Sequence, residues 1–329
     1  KRERGFPMAA KTKIDDSPAK AKYRYRVKNW AEYDRALVNR GNLTIWFDEK
    51  SIAEDWTPPR PVGRGKPGTY SDVAIQTCLT LKTLFRLPYR ATEGLLKSLM
   101  RLCALDLPVP DHTHMSRRAA TLEVKIPRRP RTGATHVVVD STGLKIFGEG
   151  EWKVRQHGVG KRRTWRKIHL AVDETAKDII GIEVTTADWH DSEVFPDLLA
   201  QVEGKVAQVS ADGAYDTERT HAAIAEREAR ATIPPREGAV LWGNDHPRDA
   251  ILAEIEAKGR AGWKEDSGYH RRSLAENMMY RLKQLGDRLF SRAFDRQVAE
   301  SHVRVAIINQ FTYLGMPKSV RAGQIVPAV

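Results

Sequence analysis

Three carboxylates, far apart in the chain, are the residue types that phosphodiester chemistry on a pair of divalent ions requires. Asp140 closes the β-branched run HVVVD, and Ser141, Thr142 and Gly143 follow as turn formers, so a buried strand is expected to end there and present the carboxylate at its tip. Asp212 stands in the same relation to a second apolar run, VAQVSAD, and Glu276 falls in the middle of a helical stretch, YHRRSLAENMMYRLK. Two Mg2+ ions about 4 Å apart, held by carboxylates on one side, activate an attacking oxygen and stabilise a leaving one. Magnesium takes a few carboxylates plus water and substrate phosphate, so three acids suffice. Asp140 is expected to bridge both ions, with Asp212 and Glu276 each completing one. Taken singly, a strand-end Asp is more often a turn former or a helix cap, and Asp173, Asp191 and Asp216 are rival positions.

The helix around Glu276 adds a second signal. Tyr269, Arg272, Glu276 and Lys283 follow one another at spacings of three, four and seven. At about 100° per residue they share a sector of roughly 60°. One polar stripe on a helix that must also pack suggests a face turned to a substrate. A solvated face, or a plain i,i+4 pair between Arg272 and Glu276, has the same spacing.

The elements that must position these residues follow from periodicity. THVVVDSTGLKIF, RKIHLAVDE and DIIGIEVTTAD read as an antiparallel meander; DSEVFPDLLAQV and TERTHAAIAERE are helices alternating with the strands VAQVSAD and ARATIPP. A long helix from Tyr269 to Arg292 closes the unit, and a final helix, QVAESHVRVAIINQFTYLG, is expected to pack on the sheet. This predicts an α/β domain over residues 135–315, a mixed five-stranded sheet covered on both faces, resembling the RNase H-like fold, with 238–268 a loop or small insert. Residues 316–329 form a tail.

Upstream the chain changes character. Residues 1–28 are basic and poor in apolar residues, which predicts a disordered arm. Residues 29–56 form a helical element capped by Asn29, 57–70 a Pro/Gly-rich linker, 71–124 three helices, and 125–134 a second, basic linker. The all-α region resembles a helix-turn-helix. Its third helix, with Thr113 as cap, would turn Arg117 and Arg118 to a major groove; a packing or dimerisation module is the simpler alternative.

A formal net charge of +13, from 55 basic and 42 acidic residues, points to a polyanionic partner, double-stranded DNA above all. The connection at 148–167 sets Arg162, Arg163, Trp165 and Arg166 together, and cations beside rings suit a distorted strand end. A basic hairpin with inward tryptophans fits equally. His190 and His270 read as ordinary polar residues. No run reaches the roughly 18 apolar residues of a membrane span, no secretory signal is evident, and Cys78 and Cys103 lack disulfide or zinc spacing, so a reducing cytoplasm is expected.

Tyr269, Arg272, Glu276 and Lys283 also match without a gap a signature of the bacterial insertion-sequence DDE transposases, the IS4/IS5 type. VVVDSTGLKIFGEGEW, RTWRKIHLAVDE, DGAYD, AENMMYRLK and NWAEYDRALVNRGNLTIWF resemble the IS5 group, so the likeness runs from Asn29 onward. The resemblance implies a catalytic and metal-binding triad of Asp140, Asp212 and Glu276, with Arg272 and Lys283 touching the DNA end and Tyr269 beside them. It also implies Mg2+-dependent cleavage and strand transfer at terminal inverted repeats, with Mn2+ able to substitute, a homodimer or larger assembly, and a nucleoid-associated location. About 60 residues separate Asp212 from Glu276, too few for the large β insertion of some IS4-type relatives, so the route of second-strand cleavage stays open. A nuclease or resolvase without strand transfer, or a DNA-binding repressor, are the rival readings.

Overall fold

The computed structural model describes residues 22–58, 69–146 and 165–325. Its centre is a sheet built from β2 (Thr135–Ile146), β3 (Trp165–Asp173), β4 (Ile179–Thr186), β5 (Val206–Ser210) and β6 (Arg230–Thr232), in the order β4-β3-β2-β5-β6. β2, β3 and β4 are antiparallel neighbours, whereas β5 and β6 run parallel to β2, as the RNase H-like order expected from the sequence requires. A two-residue strand, β7 (Arg288–Leu289), adds a sixth member beside Lys145 and Ile146.

Alternation along β2 splits the core into two layers. Val138 and Leu144 face α10 (Ser273–Gln284) and α11 (Phe294–Leu314), with Met278, Leu282 and Val305. Val137 and Val139 face α7 (Asp191–Ala200) and α8 (Glu218–Glu226), with Phe195, Leu198 and Ile224. Period-2 burial on both faces of one strand fixes its register, because a one-residue slip would exchange the two layers.

Several boundaries differ from the sequence reading. β2 does not stop at Asp140; it runs on to Ile146, and Asp140 pairs with Leu170 in mid-strand. Gly143 is tolerated there because a side chain would press on the Trp165 ring, whose Cε3 lies 3.0 Å from an added Cβ. The helix expected over 269–292 is shorter: Tyr269–Arg272 is a 3-10 turn entered from left-handed Gly268, α10 begins at Ser273, and Leu285-Gly286 ends it. Glu276 therefore lies in the first turn of α10, not its middle. Within 238–268 a twenty-residue helix, α9 (Pro247–Asp266), starts with proline at its first position and kinks at Gly259.

The N-terminal helices are α1 (Trp30–Arg40), α2 (Leu43–Trp46), α3 (Glu49–Asp55), α4 (Asp72–Leu84), α5 (Tyr89–Leu102) and α6 (His112–Arg118). The stretch read as a linker at 57–70 does not separate two units, since the Ser71 N–H donates to the Trp56 carbonyl at 3.0 Å and so brings its ends together. Phe47, Ile52 and Trp56 share one core with Ala74, Leu81, Leu96 and Met115. Residues 59–68 lie outside the described residues. α6 is capped by Asp111, whose Oδ1 accepts from the N–H groups of Thr113 and His114, so Thr113 is not the cap. The end of the arm and most of the tail are ordered as well: β1 (Lys22–Val27) pairs antiparallel with β8 (Ser319–Ile325). KYRYRV alternates ring and β-branched residues with cations, a strand pattern that bulk charge concealed.

The middle of α11, from Val303 to Asn309, is buried on every side. One side lies on the sheet and the other meets α4 and the turn after α6, where Val303 and Ile307 touch Ile75, Leu79, Ala119 and Leu122. Cys78 and Cys103 are free thiols, and burial pushes Cys78 up to about 12. No helix among the described residues is long and apolar enough to cross a membrane.

Candidate active site

Asp140, Asp212 and Glu276 converge on one guanidinium. Arg272 Nη2 lies 3.0 Å from Asp140 Oδ2 and 3.5 Å from Asp212 Oδ2, and its Nη1 donates to Glu276 Oε1 at 2.6 Å. Each aspartate spends its other oxygen on local backbone: Asp140 Oδ1 accepts from the Ser141 N–H, and Asp212 Oδ1 accepts from the Ala214 N–H, capping the 3-10 turn Gly213–Tyr215. Gly213 sits tightly here, since a Cβ would lie 3.1 Å from the Pro234 carbonyl oxygen. One side chain is thus aimed from mid-strand, one from the turn after β5 and one by a helix start.

Exposure of the carboxylate side chains rises from 11% at Asp140 through 36% at Asp212 to 58% at Glu276, so the trio is closed at the sheet and open at the helix. Burial pushes the Asp140 carboxyl above its ordinary range; Arg272 and the Ser141 N–H pull it down, and the charges of Asp212 and Glu276 add to the rise. Burial raises the Tyr269 phenol, Arg272 opposes the rise, and the charges of Asp212, Asp140 and Glu276 add to it. Lys283 is exposed at the far end of α10 and does not join.

Among the described residues no group of three or more His, Cys, Asp or Glu stands at metal-binding spacing. The cation at the point of convergence is the Arg272 guanidinium. The donor set nonetheless fits a hard divalent ion: it is all carboxylate oxygen, and three ionised carboxylates against one guanidinium leave negative charge uncompensated.

The rival acids have structural duties. Asp173 Oδ1 accepts from the Thr175 and Ala176 N–H groups at a turn. Asp216 pairs with buried Arg248 at 2.9 Å and accepts from His221; burial alone would raise it, but those bonds hold it at about 2. The pair thus adds stability above the unfolded carboxylate range that is lost as pH falls toward about 2. Asp216→Asn strands the Arg248 charge and is expected to cost about 3 kcal/mol in urea unfolding at neutral pH.

The cations expected at DNA are scattered. Arg117 is exposed on α6, whereas Arg118 turns inward to Asp72 and the Tyr70 carbonyl. Arg166 donates to Gln297 at 2.7 Å and lies over the Phe294 ring, and Trp165 lies under Lys145, so both serve packing. His190 precedes α7 and its N–H donates to Glu193; His270 is exposed. Arg162 and Arg163 lie outside the described residues.

Sequence reasoning missed a polar set on the opposite face of the sheet. His169 pairs with Ser141 across the ladder, donates or accepts at Thr185 through Nε2, and has Nδ1 3.5 Å from Asp191 Oδ1; Lys167 reaches Asp191 at 3.0 Å. Tyr215 is buried near the same charges. Burial depresses His169 to about 4, Asp191 opposing and Lys167 adding. The folded protein therefore binds this proton less readily than the unfolded chain, and stability is expected to fall as pH drops from about 6.5 to about 4. Thermal melts across that range check it, with His169→Gln flattening the profile.

Residues 131–310 match the family model described as "Transposase DDE domain", and residues 38–149 match a second model of that description. The chain belongs to the DDE transposase domain family. Among solved structures, this DDE transposase domain is similar to a chain of the simian T-cell lymphotropic virus intasome in complex with PP2A regulatory subunit B56 gamma (12% identity, 68% of this chain, 66% of that one, TM-score 0.25). It is also similar to the Drosophila P element transposase strand transfer complex (11%, 53% and 43%, TM-score 0.29) and the piggyBac transposase synaptic complex with hairpin DNA (9%, 88% and 77%, TM-score 0.34). The chain thus spans less than two thirds of the first two. At such TM-scores the superpositions carry no residue correspondence.

Proposed function

We propose that this DDE transposase is of the IS5 insertion-sequence type and that it cuts DNA at terminal inverted repeats and joins the freed ends to target DNA. The observation that carries this is the convergence of Asp140, Asp212 and Glu276, from two strands and a helix, on Arg272. Asp140, Asp212 and Glu276 would hold two Mg2+ ions, with Mn2+ able to replace them; when bound, such ions activate the attacking oxygen and neutralise charge building on the phosphate. Arg272 has the planar fork that matches a phosphodiester, so a phosphate can take the guanidinium that the carboxylates hold in the free protein. Tyr269 offers a phenol O–H on the same side.

Hydrolysis breaks one P–O bond and leaves a 3′-hydroxyl; that hydroxyl then forms a bond to a target phosphorus as the target's own 3′-oxygen leaves. Two ends must be handled together, which calls for at least a homodimer with two such sites. In a bacterial cell the work would be done at the nucleoid.

The test mixes purified protein, end-bearing DNA, Mg2+ and a target plasmid. Joined products are expected. Nicking without joining would favour a nuclease or resolvase, and end binding with no nicking a repressor.

A further inference from the structure

Between the helical region and α11 a cleft opens that the carboxylate site does not use. Its deeper half, about 560 Å³, is lined by Lys82, Arg86, Tyr89, Phe290 and Arg292 over a floor of Arg304. Its wider half, about 660 Å³, begins at the shared Tyr89 and continues past Arg90 and Arg296 to Arg117 on α6. Glu300, the one carboxylate among the described lining residues, is already engaged: it pairs with Arg304 at 2.7 Å and accepts from the N–H groups of Phe290 and Ser291. The field in the cleft is therefore positive.

Two further observations point to an anionic ligand. Arg296 Nε and Arg304 Nε are shielded from solvent and have no hydrogen-bond partner among the described residues. An unpaired buried donor is costly, and half-buried Arg296, which lines the wider half, could offer its own to a phosphate oxygen by turning outward. Rings stand among the cations as well: Lys82 Nζ lies 4.9 Å from the Tyr89 ring centre, and Phe290 is 52% exposed. Cations tracking a backbone, with rings for bases or sugars, are what a nucleic-acid strand needs.

The cleft is also placed for DNA that reaches the carboxylates. α10 carries Glu276 in its first turn, and at its far end the Gln284 carbonyl accepts from Arg86 Nη2 at 2.7 Å. The eight helical steps from Glu276 to Gln284 rise about 12 Å, or roughly three to four base pairs of duplex at 3.4 Å each. Exposed Lys283 lies on the way.

We infer that this cleft between α5, α6 and α11 seats one strand of the DNA about three to four nucleotides from the bond being cut, its phosphates on Arg90, Arg296 and Arg292 and a base or sugar against Phe290. The inference rests on the DNA reading proposed above.

Arg90→Glu/Arg292→Glu is the test, since both side chains are exposed. Binding of an end-bearing duplex is followed by fluorescence anisotropy across a salt series, with thermal melting as the control for folding. The double variant is expected to lose at least about tenfold in affinity and to show a salt slope lower by about 2. In parallel, 5-iodouracil placed singly along the strand is expected to crosslink to the Phe290 peptide at about the third or fourth nucleotide from the nick, and Phe290→Ala to abolish that crosslink. A well-folded double variant with wild-type affinity and slope overturns the inference, as does a crosslink pattern that never reaches Phe290. In both cases wild-type nicking would leave the transposase reading standing. A wild-type protein that neither binds nor nicks DNA overturns both.

Discussion

Asp140→Asn is expected to lower Mg2+-dependent nicking of end-bearing DNA by about three orders of magnitude or more, with duplex binding within about threefold of wild type. The substitution keeps the shape of a side chain that is only 11% exposed and keeps an acceptor for the Ser141 N–H, so the strand should hold. What it removes is the charge at the centre of the trio, on the carboxylate nearest the sheet and farthest from water. Gel assays of supercoiled plasmid conversion and of band shift, run on one preparation, separate the two effects. Nicking at the wild-type rate would remove Asp140 from the chemistry and with it the proposed mechanism.

Arg272→Ala is expected to act in opposite directions on two measurements. Nicking should fall by about 10²-fold or more, because the fork that would take the phosphate is gone. Divalent-ion affinity in the absence of DNA should rise by about tenfold, because the three carboxylates lose the cation that joins them and an added ion no longer competes with it. Mn2+ titration followed by electron paramagnetic resonance reads the second effect without any turnover. An Arg272→Lys variant should lie between the two, keeping the charge and losing the fork. If Mn2+ affinity does not change in either variant, Arg272 is not a rival for that position.

The fold was legible where periodicity was strong. β2 to β4, the helices after them and α11 lie within a few residues of their expected places, because their apolar spacing is set by the same sheet faces that bury them. The end of β2 was not legible: Ser141, Thr142 and Gly143 look like a turn, and only pairing with β3 keeps them in a strand. α9 was hidden by the Gly259 break and a weakly amphipathic pattern. At the site, the types of the three acids and the Arg272 to Glu276 pairing could be read from spacing. That the same guanidinium reaches Asp140 and Asp212 could not, since it depends on where the middle of one strand and the turn after another meet a helix start more than fifty residues away. The basic residues misled for a similar reason. Arg118 and Arg166 look free in the sequence and are spent on Asp72 and Gln297, partners that only tertiary structure supplies.

α11 is touched by the sheet on one flank and by the helical region on the other. It acts as a shared axle. Force applied to the helical region would have a direct mechanical route to the strand that holds Asp140, through Val303 and Ile307 and then Val305 and Ile308. A single helix would thus gear the helical region to the sheet, and loosening its fit on either flank would be felt on the other.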